Sequence, residues 1–279
     1  MGRETWFYRE VLPSISIAPA CLLVAEAEDV VVLEYVDAVP LHQIALTEPE
    51  STLALMPELA TALARLHLRS GHDAAATPRA ILPLPPLDPV DLDVLMVVSA
   101  ATLDIIERVQ SRNTLTAAVE SALAGPGPQG LVHADLKLDN ILRPRPDGGI
   151  VVVDWELGGM GPTGWDIGCV VGAMLALWCS HLALDSATDP ADWIDSGAVP
   201  FESVQLAACS FMEAYLKEMR GAAVADFGQV TTFIAANLVA RTFSESTHVR
   251  RLSAHHLVRL LVAEGILLSP DELFGDLRW

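Results

Sequence analysis

Apolar residues at Leu53, Met56, Leu59, Leu63 and Leu66 recur at the spacing of one buried helical stripe, and predict a helix over residues 48–69. The same reading predicts helices over about 90–110, 114–124, 165–182, 202–219, 224–245 and 251–268. A short amphipathic helix is expected over 3–12, with Trp6, Phe7, Val11 and Leu12 sharing a face and Pro13 ending it. Residues 20–25 and 30–36 are β-rich runs separated by the acidic turn Glu26 to Asp29, which reads as an antiparallel hairpin. Prolines 78, 83, 85, 86 and 89 mark 73–89 as a loop, and Gly125-Pro-Gly-Pro128 stops a helix. A strand-loop-strand unit follows, with a turn over 146–149. The pattern is α+β: a small portion over 1–36, then a mostly helical portion over 37–279 that contains the unit at 131–156.

Composition agrees with a large buried core: 279 residues, 52% hydrophobic and 19% charged, make one large domain or two small ones. Mean hydropathy is +0.39. The longest uncharged apolar run, Ile167 to Cys179, is nonetheless shorter than the ~20 residues a bilayer demands. A buried core helix is expected there, and no membrane partner. The first residues lack a basic-then-apolar signal, which points to the cytoplasm. Asp and Glu number 36 against 17 Lys and Arg, for a net charge of -19. This excludes a basic nucleic-acid surface and suits solubility or a cationic or neutral acceptor. Cys21, Cys169, Cys179 and Cys209 are widely spaced and are expected to be reduced thiols without metal.

The segment richest in chemistry is His133-Ala-Asp135-Leu-Lys137-Leu-Asp139-Asn140, followed by Val151-Val-Val-Asp154-Trp-Glu156. Phosphoryl transfer needs a carboxylate near the acceptor hydroxyl and hard oxygen ligands for Mg²⁺. Asp135 suits the first need; Asn140 and Asp154 suit the second. Singly, each is as readily a turn or capping residue. Jointly, their spacing is that of a kinase catalytic loop and its metal-binding aspartate.

The runs HADLKLDN, VVVDWE and GPTGWDIG resemble the signature of aminoglycoside phosphotransferases, choline and homoserine kinases and their relatives. The Trp-Glu after Asp154 distinguishes them from protein kinases. The resemblance implies a protein-kinase-like bilobal fold with a reduced N-lobe (short helix plus β-hairpin) and a large helical C-lobe. It implies ATP and Mg²⁺ as cofactors, Asp135 as catalytic base and His133 as anchor of its loop. Asn140 and Asp154 are then the metal ligands, and Asp166 braces the loop from below. Lys137 contacts the transferred phosphate or is a surface lysine. The backbone of Glu34 and Val36 resembles the adenine-binding hinge, and His67 is expected to be structural. The run is also similar to kinase components of lanthipeptide and thioamitide pathways, so the acceptor is a small molecule or a peptide Ser or Thr.

The likeness fails in one place. Only about thirty residues precede the hinge, no glycine lies between Gly2 and Gly71, and the first lysine of the chain is Lys137. The phosphate-covering loop and its lysine have no counterpart, and Glu4 or Glu10 matches the helix glutamate without its partner. Three explanations are open: a start upstream of Met1, a partner protein that completes the N-lobe, or a pseudokinase-like scaffold that binds without transfer.

Overall fold

A computed structural model describes residues 2–15, 17–25, 30–69, 77–85, 98–146, 148–184, 193–194 and 196–275. The expected turn at 26–29 and the expected helical residues 90–97 lie outside these. The helices are α1 (Arg3–Trp6), α2 (Leu41–Thr47), α3 (Pro49–His67), α4 (Ala100–Gln110), α5 (Asn113–Ala124), α6 (Thr163–Ser180), α7 (Phe201–Glu218), α8 (Phe227–Ser246), α9 (Ala254–Leu268) and α10 (Asp271–Phe274). The strands are β1 (Cys21–Ala25), β2 (Val30–Leu33), β3 (Ala38–Pro40), β4 (Gln129–Val132), β5 (Ile141–Pro144), β6 (Val151–Val152) and β7 (Gly159–Pro162). The α+β composition is the expected one.

The chain forms two compact units. The first comprises residues 1–82, 127–166 and 206–225. Its sheets are small and antiparallel: β1 with β2, β3-β5-β6, and β4 with β7. Leu59, Leu63 and Leu66 of α3 are fully buried, whereas Leu53 is half-buried and Leu55 takes the deeper place. The helix expected from 48 begins at Pro49 because Glu48 is not helical (φ -143°, ψ 69°), in keeping with the bar that a following proline sets against the α region; that break separates α2 from α3. Glu58 of α3 accepts the Ile150 amide at 2.7 Å and so ties the helix to the edge of β6.

The helix expected at 3–12 changes register. After α1 the chain forms a π-helix over Phe7–Val11 and a 3-10 turn over Leu12–Ser14. The wider turn buries Tyr8 beside Phe7 and Val11 and leaves Trp6 only half-buried, unlike the regular stripe read from the sequence. The hairpin's second strand stops at Leu33, short of the expected residue 36. There Glu34 folds back: its amide donates to the Ala20 carbonyl and its carboxylate accepts the Ala20 amide, both at 2.9 Å.

The second unit comprises residues 83–126, 167–205 and 226–279. Its described part is helical, with α8 packed on α9, α5 and α4. Gly168 and Gly172 of α6 lie one turn apart against Phe233 and Asn237 of α8. Helix α6 is, among the described residues, the one long and apolar enough to cross a membrane, and 89% of it is buried inside the fold. It is a core helix. Cys169 and Cys179 are buried and neither is in a disulfide, and burial pushes the Cys179 thiol pKa up to about 12.

Candidate active site

Strand β4 delivers the chain, through buried Leu131 and Val132, to His133. Ala134 then takes the left-handed conformation (φ 72°), which costs an alanine about 1–2 kcal/mol. Three interactions hold it there. The side chain of Asp166, fully buried at the start of α6, accepts the amides of His133 at 2.8 Å and Ala134 at 2.9 Å. The Trp165 indole donates to the Ala134 carbonyl at 2.8 Å. Asp166 also meets His67 Nε2 at 3.3 Å, and His67 Nδ1 meets the Tyr215 hydroxyl at 2.8 Å. The loop is thereby clamped from beneath by residues far apart in sequence.

His133 is itself part of the clamp. The Asp135 amide donates to its Nδ1 at 3.1 Å, which leaves Nε2 to donate to the Val153 carbonyl at 2.9 Å. Its ring lies 4.6 Å from that of Trp155, which packs on Phe7. Burial lowers the His133 pKa against the opposing pull of Asp166, so the ring is neutral, as this tautomer requires. His133 therefore joins the loop to the segment that carries Asp154.

Tight turns follow. The Lys137 amide donates to the Asp135 carbonyl and the Asn140 amide to the Lys137 carbonyl, while Val153 N–H donates to the Asn140 carbonyl. Asp154 also sits at positive φ (69°), two residues past β6, where the chain turns its carboxylate back to the loop. Four predicted side chains converge. Lys137 Nζ lies 2.9 Å from Asp135 Oδ2 and 3.6 Å from Asp154 Oδ2. Asn140 Nδ2 lies 3.0 Å from the Asp135 carbonyl, 3.4 Å from Asp135 Oδ2 and 3.3 Å from Asp154 Oδ2. Burial draws the Lys137 pKa down, but the hydrogen bond and charges of Asp135 and Asp154 outweigh it and raise it above the usual lysine range. A full positive charge thus rests between two carboxylates.

That arrangement fits a divalent cation. Mg²⁺ takes one or two protein carboxylates and completes its shell with water and phosphate oxygens. Asp154 could supply the carboxylate, and Asn140, whose amide nitrogen donates to the Asp135 carbonyl, keeps its Oδ1 as a second oxygen for such a cation. No cluster of three or more His, Cys, Asp or Glu suited to a metal exists among the described residues, so an all-protein cage is not what this site offers.

Glu34 and Val36 lie outside this hydrogen-bonded cluster, at the exit of the β1–β2 hairpin. The Glu34 carbonyl and Val36 amide make no hydrogen bond among the described residues, which leaves one acceptor and one donor two residues apart. A cavity of about 620 Å³ adjoins the hairpin and is lined by Tyr8, Arg9, Leu12, Cys21, Val24 and Glu34 among others. Sequence reasoning missed Tyr8 and the grip of Trp165 and Tyr215. Trp165 stands in the Gly-Trp-Asp run and was legible in principle; Tyr215 carries no local signal.

A model of the phosphotransferase enzyme family matches residues 10–188. Among solved structures, a choline/ethanolamine kinase family protein from Mesorhizobium loti aligns with TM-score 0.57 and 19% identity over 96% of this chain and 80% of that one. A choline kinase from Streptococcus pneumoniae aligns with TM-score 0.57 and 13% identity over 96% and 81%. A thermostable mutant of an aminoglycoside phosphotransferase aligns with TM-score 0.51 and 14% identity over 96% and 81%. At these identities the likeness is one of fold, and the fold is kinase-like. No curated protein matches the chain in sequence.

Proposed function

Since the chain belongs to the phosphotransferase enzyme family, we propose that it transfers the γ-phosphate of ATP to a hydroxyl of a small molecule. One observation carries this reading: Asp135, Lys137, Asn140 and Asp154 meet around a single positive charge. Asp135 orients the acceptor hydroxyl and takes its proton as the hydroxyl oxygen bonds to the γ-phosphorus. The bond from that phosphorus to the bridging oxygen breaks, and ADP leaves. Lys137 balances negative charge gathering on the transferred group. Asp154 and Asn140 would hold Mg²⁺, which when bound would supply positive charge against the phosphates. The Glu34 carbonyl and Val36 amide suit the edge of adenine.

A net charge of -19 favours a cationic acceptor such as an amino alcohol or aminoglycoside. A peptide serine or threonine asks the same chemistry of Asp135. A second reading, a scaffold or partner-binding protein that holds nucleotide without transfer, is favoured by one observation: no lysine precedes Lys137. In either reading a partner protein could complete the hairpin side of the nucleotide site.

The test is transfer of labelled phosphate from ATP to a panel of amino alcohols, aminoglycosides and Ser/Thr peptides. Asp135→Asn should retain the wild-type circular dichroism and lose on the order of 10³-fold in rate. Equal incorporation by variant and wild type rules the reading out. Mg²⁺-dependent ATP binding with no transfer to any acceptor favours the scaffold.

A further inference from the structure

Tyr8 is placed by an irregularity. The five-residue π-helix at Phe7–Val11 turns it into the interior, where it is 1% exposed. Tyr8 lines the cavity of about 620 Å³ that Glu34, Cys21 and Arg9 also line. Its hydroxyl is shielded from water and makes no hydrogen bond among the described residues. A buried hydroxyl left without a partner opposes folding, and such groups in native proteins call for an explanation. Single-turn π insertions inside helices are frequent at functional sites.

The surroundings say what kind of partner the hydroxyl meets. Burial, then the charges of Glu4, Cys21 and Asp154, raise the phenol far above the ordinary tyrosine range, so it remains a donor at any working pH. The same influences mark its position: near Cys21, which lines the cavity, and within electrostatic reach of Asp154, which belongs to the catalytic cluster. The cavity reaches Glu34, and Phe7, the neighbour of Tyr8, packs on Trp155 beside Asp154, so a nucleotide that spans Glu34 and Asp154 passes Tyr8. Along that path the chain offers no lysine before Lys137, and Arg9, half-exposed, has its Nε 3.6 Å from Glu10. An anion seated there needs a donor, and Tyr8 is a cavity-lining residue whose buried donor has no partner among the described residues.

We infer that the Tyr8 hydroxyl donates a hydrogen bond to a phosphate oxygen of the bound nucleotide. This rests on the proposed nucleotide site and assigns it a residue from outside the 131–156 segment. The hydroxyl supplies a neutral donor, with no charge of its own, on the Tyr8 side of the site. It works in a poorly solvated setting, where a hydrogen bond to an anion is stronger than in water.

The experiment compares wild type with Tyr8→Phe, which keeps the ring and removes only the hydroxyl. Titration calorimetry with ADP and Mg²⁺ should show on the order of 10-fold weaker binding in the variant, the scale of one hydrogen bond to a charged group. Affinity for adenosine, which has no phosphate, should be equal in the two proteins. The melting temperature without ligand should be unchanged or higher, because the lost hydroxyl had no partner. ADP affinity within twofold of wild type overturns the inference while the nucleotide site stands. An equal loss for adenosine, or a lower melting temperature, assigns Tyr8 a packing role and overturns it too. Wild type that binds neither ligand overturns the inference together with the proposed function.

Discussion

Asp166 shows how much one buried carboxylate does here. With no exposure to solvent, it accepts two successive amides and faces His67. The left-handed Ala134 is held because its amide and carbonyl are both taken, by Asp166 and Trp165. Much of this was legible. His133, Asp135, Asn140 and Asp154 fall within 22 positions, so the loop turns and the β5–β6 pairing bring them together over a short stretch of chain. The His67–Tyr215 contact was not legible, because its partners stand 148 positions apart and no local pattern encodes it. Tyr8 was hidden for another reason: a π turn breaks the period on which the stripe was read.

His133 also predicts a pH dependence. Its folded pKa is lowered, first by burial, while the unfolded chain titrates near 6.5. Below about pH 6.5 the unfolded state therefore binds the extra proton and the folded state does not. Stability contributed by the neutral ring is complete above that pH and is lost as pH falls. Protonation also removes the Nδ1 lone pair that receives the Asp135 amide. Urea unfolding at pH 7.5 and 5.5 should show a smaller loss on acidification in His133→Gln than in wild type. Equal losses in the two proteins contradict the assignment.

Among the elements, α6 and α8 make the tightest test of packing. A Cβ on Gly168 would stand 2.7 Å from both the backbone carbon and the Cβ of Phe233. Backbone cannot yield as a side chain does, so Gly168→Ala should cost roughly 1–3 kcal/mol in urea unfolding despite the better helix propensity of alanine. Unchanged or increased stability contradicts so close an approach of these helices. The long helices were legible because their apolar periods run over many turns. The short pieces were not. Strand β3 has three residues and β6 two, too few to show alternation, and each exists because β5 lies between them. Strand β7, Gly-Met-Gly-Pro, has poor strand propensity. It forms where β4 pairs with it and where the backbone of Pro78 to Ala80 comes so close that a Cβ on Gly159 would meet it at 2.4 Å.

At the scale of the molecule, mean hydropathy of +0.39 alongside a net charge of -19 describes apolar interiors under an acidic surface. The helical stripes were enough to read the α+β class. The division into units drawn from three separate chain segments each was beyond any linear reading. The central claim is that Asp135, Asn140 and Asp154 together receive a metal-bound nucleotide. Calorimetric titration of ADP with and without Mg²⁺, in wild type and in Asp154→Asn, addresses it directly. Wild type should bind ADP at least about tenfold more tightly with Mg²⁺ present, and Asp154→Asn should lose that gain. Mg²⁺ that leaves wild-type affinity unchanged, or an equal gain in both proteins, would contradict the account.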